Sequence, residues 1–154
     1  MEILEKINLF QRAINELRPL EGNSLTESET KALLEDGLTV GGKPLREVLE
    51  AVNHAKAYDF MFSIFRDRCI DEQAVLKMHE LFYQNIESEY AERYRDIRVI
   101  ITGSGFPVTV PEKISEEMKR LFEWIQKEWE NYHPVEFAAQ LHKRFVFIHP
   151  FKDR

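Results

Sequence analysis

With one cysteine, Cys69, in 154 residues, no disulfide can form within the chain and its stability must come from packing. A reducing compartment, the cytoplasm, is the expected setting. Glycine and proline are scarce, six of each, and cluster at a few places, which leaves long stretches free to be helical. Basic residues are outnumbered, 21 against 27 acidic, and the net charge of −6 gives no general pull toward nucleic-acid backbones or anionic lipid. Neither nucleic acid nor membrane is an expected partner. Long apolar runs are missing too: Phe145-Val146-Phe147-Ile148 falls far short of the roughly 20 residues that span a bilayer. Met1-Glu2-Ile3-Leu4-Glu5 lacks the basic and apolar regions of a secretory leader.

What is present is 44% hydrophobic and 12% aromatic side chain, enough for the core of about one domain. Ile3, Leu4, Ile7, Phe10, Ile14 and Leu17 recur at helical spacing up to Pro19 and Gly22. Thr26 followed by Glu29 is a capping box for a short helix through Leu33 and Leu34. After the loop at Gly37, Gly41 and Gly42, Pro44 suits the first turn of a long helix carrying Leu45, Val48, Leu49, Val52, Ala55, Tyr58, Phe62 and Phe65 on one side. Asp71 caps a helix whose apolar face is Ala74, Val75, Met78, Leu81, Phe82 and Ile86. The β-branched run Ile97–Thr102, the turn Gly103-Ser104-Gly105 and Phe106–Val110 read as a β-hairpin. Pro111 opens a helix with Ile114, Met118, Leu121, Phe122, Ile125 and Trp129 inward; a last helix runs from Pro134 through Phe137, Ala138, Leu141 and Phe145 to Ile148. The expected fold is all-α, a helical bundle with one short hairpin.

Gly37–Lys43 fits the first seven positions of a phosphate-binding loop, yet Pro44 stands where a hydroxyl must hold magnesium, and a helix precedes it where a strand is required. An interhelical turn is the better reading. His54, His79, His133, His142 and His149 show no zinc-ligand spacing. His149 stands apart because Pro150 disfavours helix at the residue before it, so the imidazole sits on a forced turn at a helix end, four residues before Asp153. Such a histidine can act as a base near neutral pH and such a carboxylate can hold a hard cation; a plain helix-ending turn explains the same residues.

His149-Pro150-Phe151-Lys152-Asp153, preceded by Phe145–Ile148, resembles the start of the Fic motif, HPFx[D/E]GN[G/K]RxxR, of enzymes that transfer AMP from ATP to protein hydroxyls. His133–Ala139 resembles the helix start that precedes it, and Ile100–Ser104 the hairpin called the flap. Glu21–Thr26 and Ser28–Lys31 resemble the N-terminal inhibitory region of one type in this family, and Gly41–Leu45 with Asn53-His54 follow as they do there. The resemblance implies a Fic-like helical bundle, with residues 1–36 an inhibitory helical region and 37–154 the core. It implies His149 as general base toward a Tyr, Thr or Ser hydroxyl attacking the α-phosphate, and Asp153 as ligand of the nucleotide's Mg2+. Phe151 matches the motif Phe that tucks into the core and holds the loop; with Gly103 and Ser104 it completes the expected cofactor-binding set for ATP. The flap, about Ile97 to Val110, would align the target protein by strand addition. Glu21, with Gly22, would be the inhibitory glutamate.

Two departures accompany the resemblance. The family motif continues Gly-Asn-Gly-Arg, whereas here Arg154 follows Asp153 and is the last residue; the anion hole and the next helix are not in these 154 residues, which by themselves are expected to be inactive and to leave apolar faces around Phe145, Phe147 and Phe151 open to self-association. Leu17 occupies the Ser/Thr position of the inhibitory pattern. Two functions stay open at this point: an autoinhibited AMP transferase, or an inactive Fic-like module that binds peptide or regulates.

Overall fold

The computed structural model describes residues 23–67, 70–87, 89–101, 103 and 105–152. The stripe Ile3–Leu17 and the expected site residues Glu21, Gly22, Ser104 and Asp153 lie outside them. The chain forms two compact units, Met1–Ala55 and Lys56–Arg154.

In the first unit, helix α1 (Glu27–Leu34) starts at the expected capping box. Thr26 Oγ1 accepts from the Glu29 N–H at 3.3 Å, and the Glu29 carboxylate accepts from the Thr26 N–H at 2.6 Å. Each bond satisfies a donor that the first helical turn leaves open; the Thr26 backbone bond also holds the Glu29 carboxyl below its ordinary range. Gly37 and Gly42, at φ +65° and +77°, turn the chain in a conformation other residues adopt only with strain. The segment 37–43 is thus an interhelical turn with no strand before it among the described residues. Helix α2 (Leu45–Asp67) then begins, and Glu47 in its first turn accepts from the Ser24 N–H at 2.8 Å and the Ser24 hydroxyl at 2.6 Å. Asn23 Nδ2 donates to the Glu47 carbonyl at 3.0 Å. Leu25 and Ala51 are buried here, while Leu45, expected on the apolar side, is exposed at the first helical position.

In the second unit the rest of α2 buries Ala57 and Ile64; Phe62, expected on the buried side, instead points outward at 41% exposure. Helix α3 (Glu72–Tyr83) is capped by Asp71, whose Oδ1 accepts from the Ala74 N–H at 2.8 Å. Its deeply buried residues are Ala74 and His79, and the histidine was not part of the expected apolar face. After a 3₁₀ turn at Pro111–Lys113 come α4 (Ile114–Glu128) and α5 (Pro134–Ile148). Helix α4 is the centre of the unit and packs against both α3 and α5. The spacing of Ile114, Met118, Leu121, Phe122 and Ile125 puts all five on one face, where they are buried together with Phe137 and Ile148 of α5. Burying side chains of this size contributes about 1.5–3 kcal/mol each. Trp124 stacks on Phe137 at 5.1 Å, and Trp129 meets the same ring edge-on. Ala138, expected inward, is exposed. The opposite face of α4 carries Arg120 between Glu116 and Glu117, exposed pairs of little energetic weight.

The hairpin expected over Ile97–Val110 does not form a strand ladder among the described residues. The described residues of this stretch carry no regular structure, and Gly103 lies in a turn at φ +80°. An isolated two-stranded ribbon is marginal in water, and these legs bond elsewhere: the Thr109 N–H donates to the Phe147 carbonyl at 3.2 Å, and the Ile97 and Thr109 carbonyls accept from Arg95. No helix among the described residues is long and apolar enough to cross a membrane.

Candidate active site

Helix α5 begins with His133 as N-cap, its Nδ1 accepting from the Val135 N–H at 3.3 Å, and Pro134 in its first turn. It ends at His149, which takes the left-handed conformation (φ 48°, ψ 62°) and donates its N–H to the Phe145 carbonyl at 2.8 Å. Glycine is the usual residue in such a cap, since a Cβ there costs about 1–2 kcal/mol. A histidine held in that conformation is local strain stored at one residue. Pro150, expected to end the helix, does so and is buried.

The turn is fixed from two sides. Phe151 lies against His79 of α3, the rings stacked at 3.9 Å and 7°, with Tyr94 at 5.7 Å and Phe145 at 6.2 Å. Phe151, the residue expected to hold the loop, is half-buried and lies in this aromatic cluster. Tyr94 donates its hydroxyl to Glu72 at 2.9 Å, and burial, with this bond adding, pushes its phenol well above the ordinary value. Lys152 places its ammonium 3.7 Å from the centre of the Tyr90 ring.

On the other side is Arg95, 5% exposed. Its Nε donates to the His149 carbonyl at 2.7 Å, and one terminal nitrogen to the Ile97 carbonyl at 2.7 Å. The other donates to Thr109 and lies 3.5 Å from the Ile148 carbonyl. The Arg95 N–H itself donates to the Pro150 carbonyl at 2.9 Å. Burial pushes the guanidinium down from its ordinary value, yet it stays charged, and carbonyl dipoles meet that charge.

Beside this turn, Ile101 and residues 106–108 form an open groove of about 830 Å³ with α4 and α5, lined in part by Phe106, Val108, Leu121, Lys143, Arg144 and Phe147. Ile100 and Phe106 are 90% and 80% exposed and Phe147 57%, so apolar surface faces out on both sides of it. Gly103 is exposed at the turn. The structure therefore brings His149, Phe151 and both ends of the 97–110 segment together. Among the described residues no three of His, Cys, Asp and Glu are grouped as metal ligands.

A model of the Fic/DOC family matches residues 69–153, more than half of the chain and all of the turn just described. The chain belongs to the Fic/DOC family. Curated relatives include protein adenylyltransferase fic-1 of Caenorhabditis elegans, 33% identical over 138 residues, and protein adenylyltransferase Fic of Nematostella vectensis, 31% identical over 137. Each alignment takes in 87% of this chain but only 27% and 32% of the relative, so the chain spans about a quarter to a third of their length. Among solved structures, a Fic-domain signaling protein from Bacteroides thetaiotaomicron superposes with TM-score 0.78 at 28% identity, over 94% of this chain and 56% of the other. C. elegans Fic-1 (residues 134–508) gives 0.75 at 30%, over 94% and 41%. The all-α Fic fold is thereby established.

Two residues that shape this Fic site, Arg95 and His79, are not among those the sequence points to. A buried arginine has no periodicity to betray it, and its place just before the β-branched run is the one sign the chain offers. His79 interrupts the apolar face of α3 and is legible only once Phe151 is seen stacked on it.

Proposed function

We propose that this Fic domain transfers AMP from ATP to a Tyr, Thr or Ser hydroxyl of a target protein, with His149 as general base. The observation that carries the reading is His149 itself, held left-handed at the end of α5 by bonds to its N–H and its carbonyl, within the segment that matches the family. The relatives named as protein adenylyltransferases supply the reaction class. As the hydroxyl oxygen bonds to the α-phosphorus, its proton passes to the imidazole, the bond to the bridging oxygen breaks and pyrophosphate leaves. General-base help of this kind is worth about 10²- to 10⁴-fold.

Mg2+ would arrive on the nucleotide phosphates, where Asp153 would hold it and its charge would offset theirs. Such an ion keeps several waters and takes one or two carboxylates besides phosphate oxygens, which suits Asp153 in type and number. Gly103 and Ser104 are proposed at the nucleotide, and Phe151 acts by holding the loop through its stack on His79. The target is proposed to dock on the 97–110 segment, where Ile100 and Phe106 present apolar side chains to solvent. Residues 1–36 are proposed as an inhibitory region and 37–154 as the core, with Glu21 and Gly22 restraining the nucleotide, in a cytoplasmic protein.

The test is incubation with ATP labelled on the α-phosphate, in a form containing the complete motif. His149→Ala is expected to abolish labelling and leave nucleotide binding nearly intact; Asp153→Ala is expected to weaken both, and Glu21→Gly to raise labelling. Full labelling by His149→Ala refutes the assignment. Target binding without any labelling by the unaltered protein identifies a peptide-binding module instead.

A further inference from the structure

Arg95 makes bonds to three parts of the chain that lie apart in sequence. Its Nε reaches the His149 carbonyl 54 positions away, one terminal nitrogen reaches Ile97 at the start of the 97–110 segment, and the other reaches Thr109 near its end. The backbone N–H of the same residue holds Pro150. The guanidinium is planar and its donors stand in a fixed fork, so each acceptor is set at a defined angle to the others. Its charge is met by carbonyl dipoles of the same stretches of chain that it joins, so that losing any one acceptor would leave a buried donor unmet. A further direct tie in this region runs from the Thr109 N–H to the Phe147 carbonyl.

We propose that Arg95 is a positioning residue for catalysis: its guanidinium couples the backbone of His149 to both ends of the 97–110 segment, so that the base and the surface presenting the acceptor hydroxyl keep one geometry. The proposal rests on the reading of His149 as base. A group displaced by about 1 Å from its reacting partner costs about 10²-fold in rate, and Arg95 controls that displacement without touching either reactant. Lysine in its place keeps the charge but has a single donor centre, which cannot span acceptors on three segments.

The experiment compares Arg95→Met and Arg95→Lys with the unaltered protein, each containing the complete motif, by steady-state AMP transfer and by amide hydrogen exchange. Arg95→Met is expected to lower kcat about 10²-fold with the KM for ATP changed no more than about twofold. Arg95→Lys should recover little of that loss. Exchange should quicken at the amides of residue 95, Thr109 and His149, while Met118 and Leu121 in α4 stay protected. Unchanged kcat in folded Arg95→Met, or full recovery by Arg95→Lys, overturns the proposal. Equal loss of protection in α4 does so as well, because it makes the effect general destabilisation. Should Arg95→Met not fold, the lysine variant decides the matter by the same two readouts. If the unaltered protein transfers no AMP, or His149→Ala transfers it equally well, the base assignment fails; the exchange pattern still decides whether Arg95 couples the two segments.

Discussion

Replacing Phe151 by alanine removes the ring that stacks on His79 at 3.9 Å and also touches the Tyr94 and Phe145 rings. Full burial of a phenylalanine makes its truncation cost about 3–5 kcal/mol. Phe151 is half-buried, so roughly half of that, about 2 kcal/mol, is expected from lost burial and the partial cavity. The pairing with His79 should appear separately. In a double-mutant cycle of Phe151→Ala and His79→Ala, the coupling is expected at about 0.5–1.5 kcal/mol, the range for an aromatic pair beyond its area. Urea denaturation monitored by tryptophan fluorescence measures all four stabilities, since Trp124 and Trp129 pack against the same unit's core. Strictly additive single effects, or a loss below about 0.5 kcal/mol for Phe151→Ala, would refute the stacked arrangement as the anchor of the turn. A loss near 4 kcal/mol would mean that the ring is a full core residue rather than a half-open clamp.

Asp71→Ala should cost about 1 kcal/mol by removing the cap on α3, with Asp71→Asn largely preserving it in the same denaturation assay. Burial holds His54 below the ordinary histidine value, so below about pH 6.5 the unfolded chain takes up a proton that the folded one resists. Stability should therefore fall as pH drops through that value, and His54→Gln should flatten the fall in melts from pH 7 to 5; an unchanged slope counts against it. Phe147→Ser and Phe106→Ser are expected to lower any self-association seen by light scattering while leaving the melting temperature within a few degrees, because both side chains are mostly exposed.

The helices are legible in the sequence because their signals are local. The Thr26–Glu29 capping box, the Asp71 cap, the apolar spacing from Ile114 to Ile125 and the helix-ending Pro150 all act within a few residues, and each feature appears at its expected place. The hairpin is not confirmed among the described residues: β-branched residues favour extended backbone without supplying a partner strand, and the carbonyls of Ile97 and Thr109 accept from Arg95. Phe62 shows the same limit on a helix, since several faces of α2 carry apolar residues and spacing alone does not choose between them. His149 is legible as a turn residue from Pro150, but what holds it comes from residue 95 and from α3, separations at which no pattern in the chain operates.

Under the proposed role of His149 as base, its left-handed backbone sets the interests of the fold against those of the chemistry. Glycine at this position would relieve about 1–2 kcal/mol of conformational cost and delete the imidazole in the same step. A library selected only for thermal resistance should therefore drift toward His149→Gly or His149→Asn, enriching variants that are sturdier and, under the proposed assignment, inert. Any effort to harden this domain has to select for turnover at the same time, or draw its gains from positions remote from the end of α5.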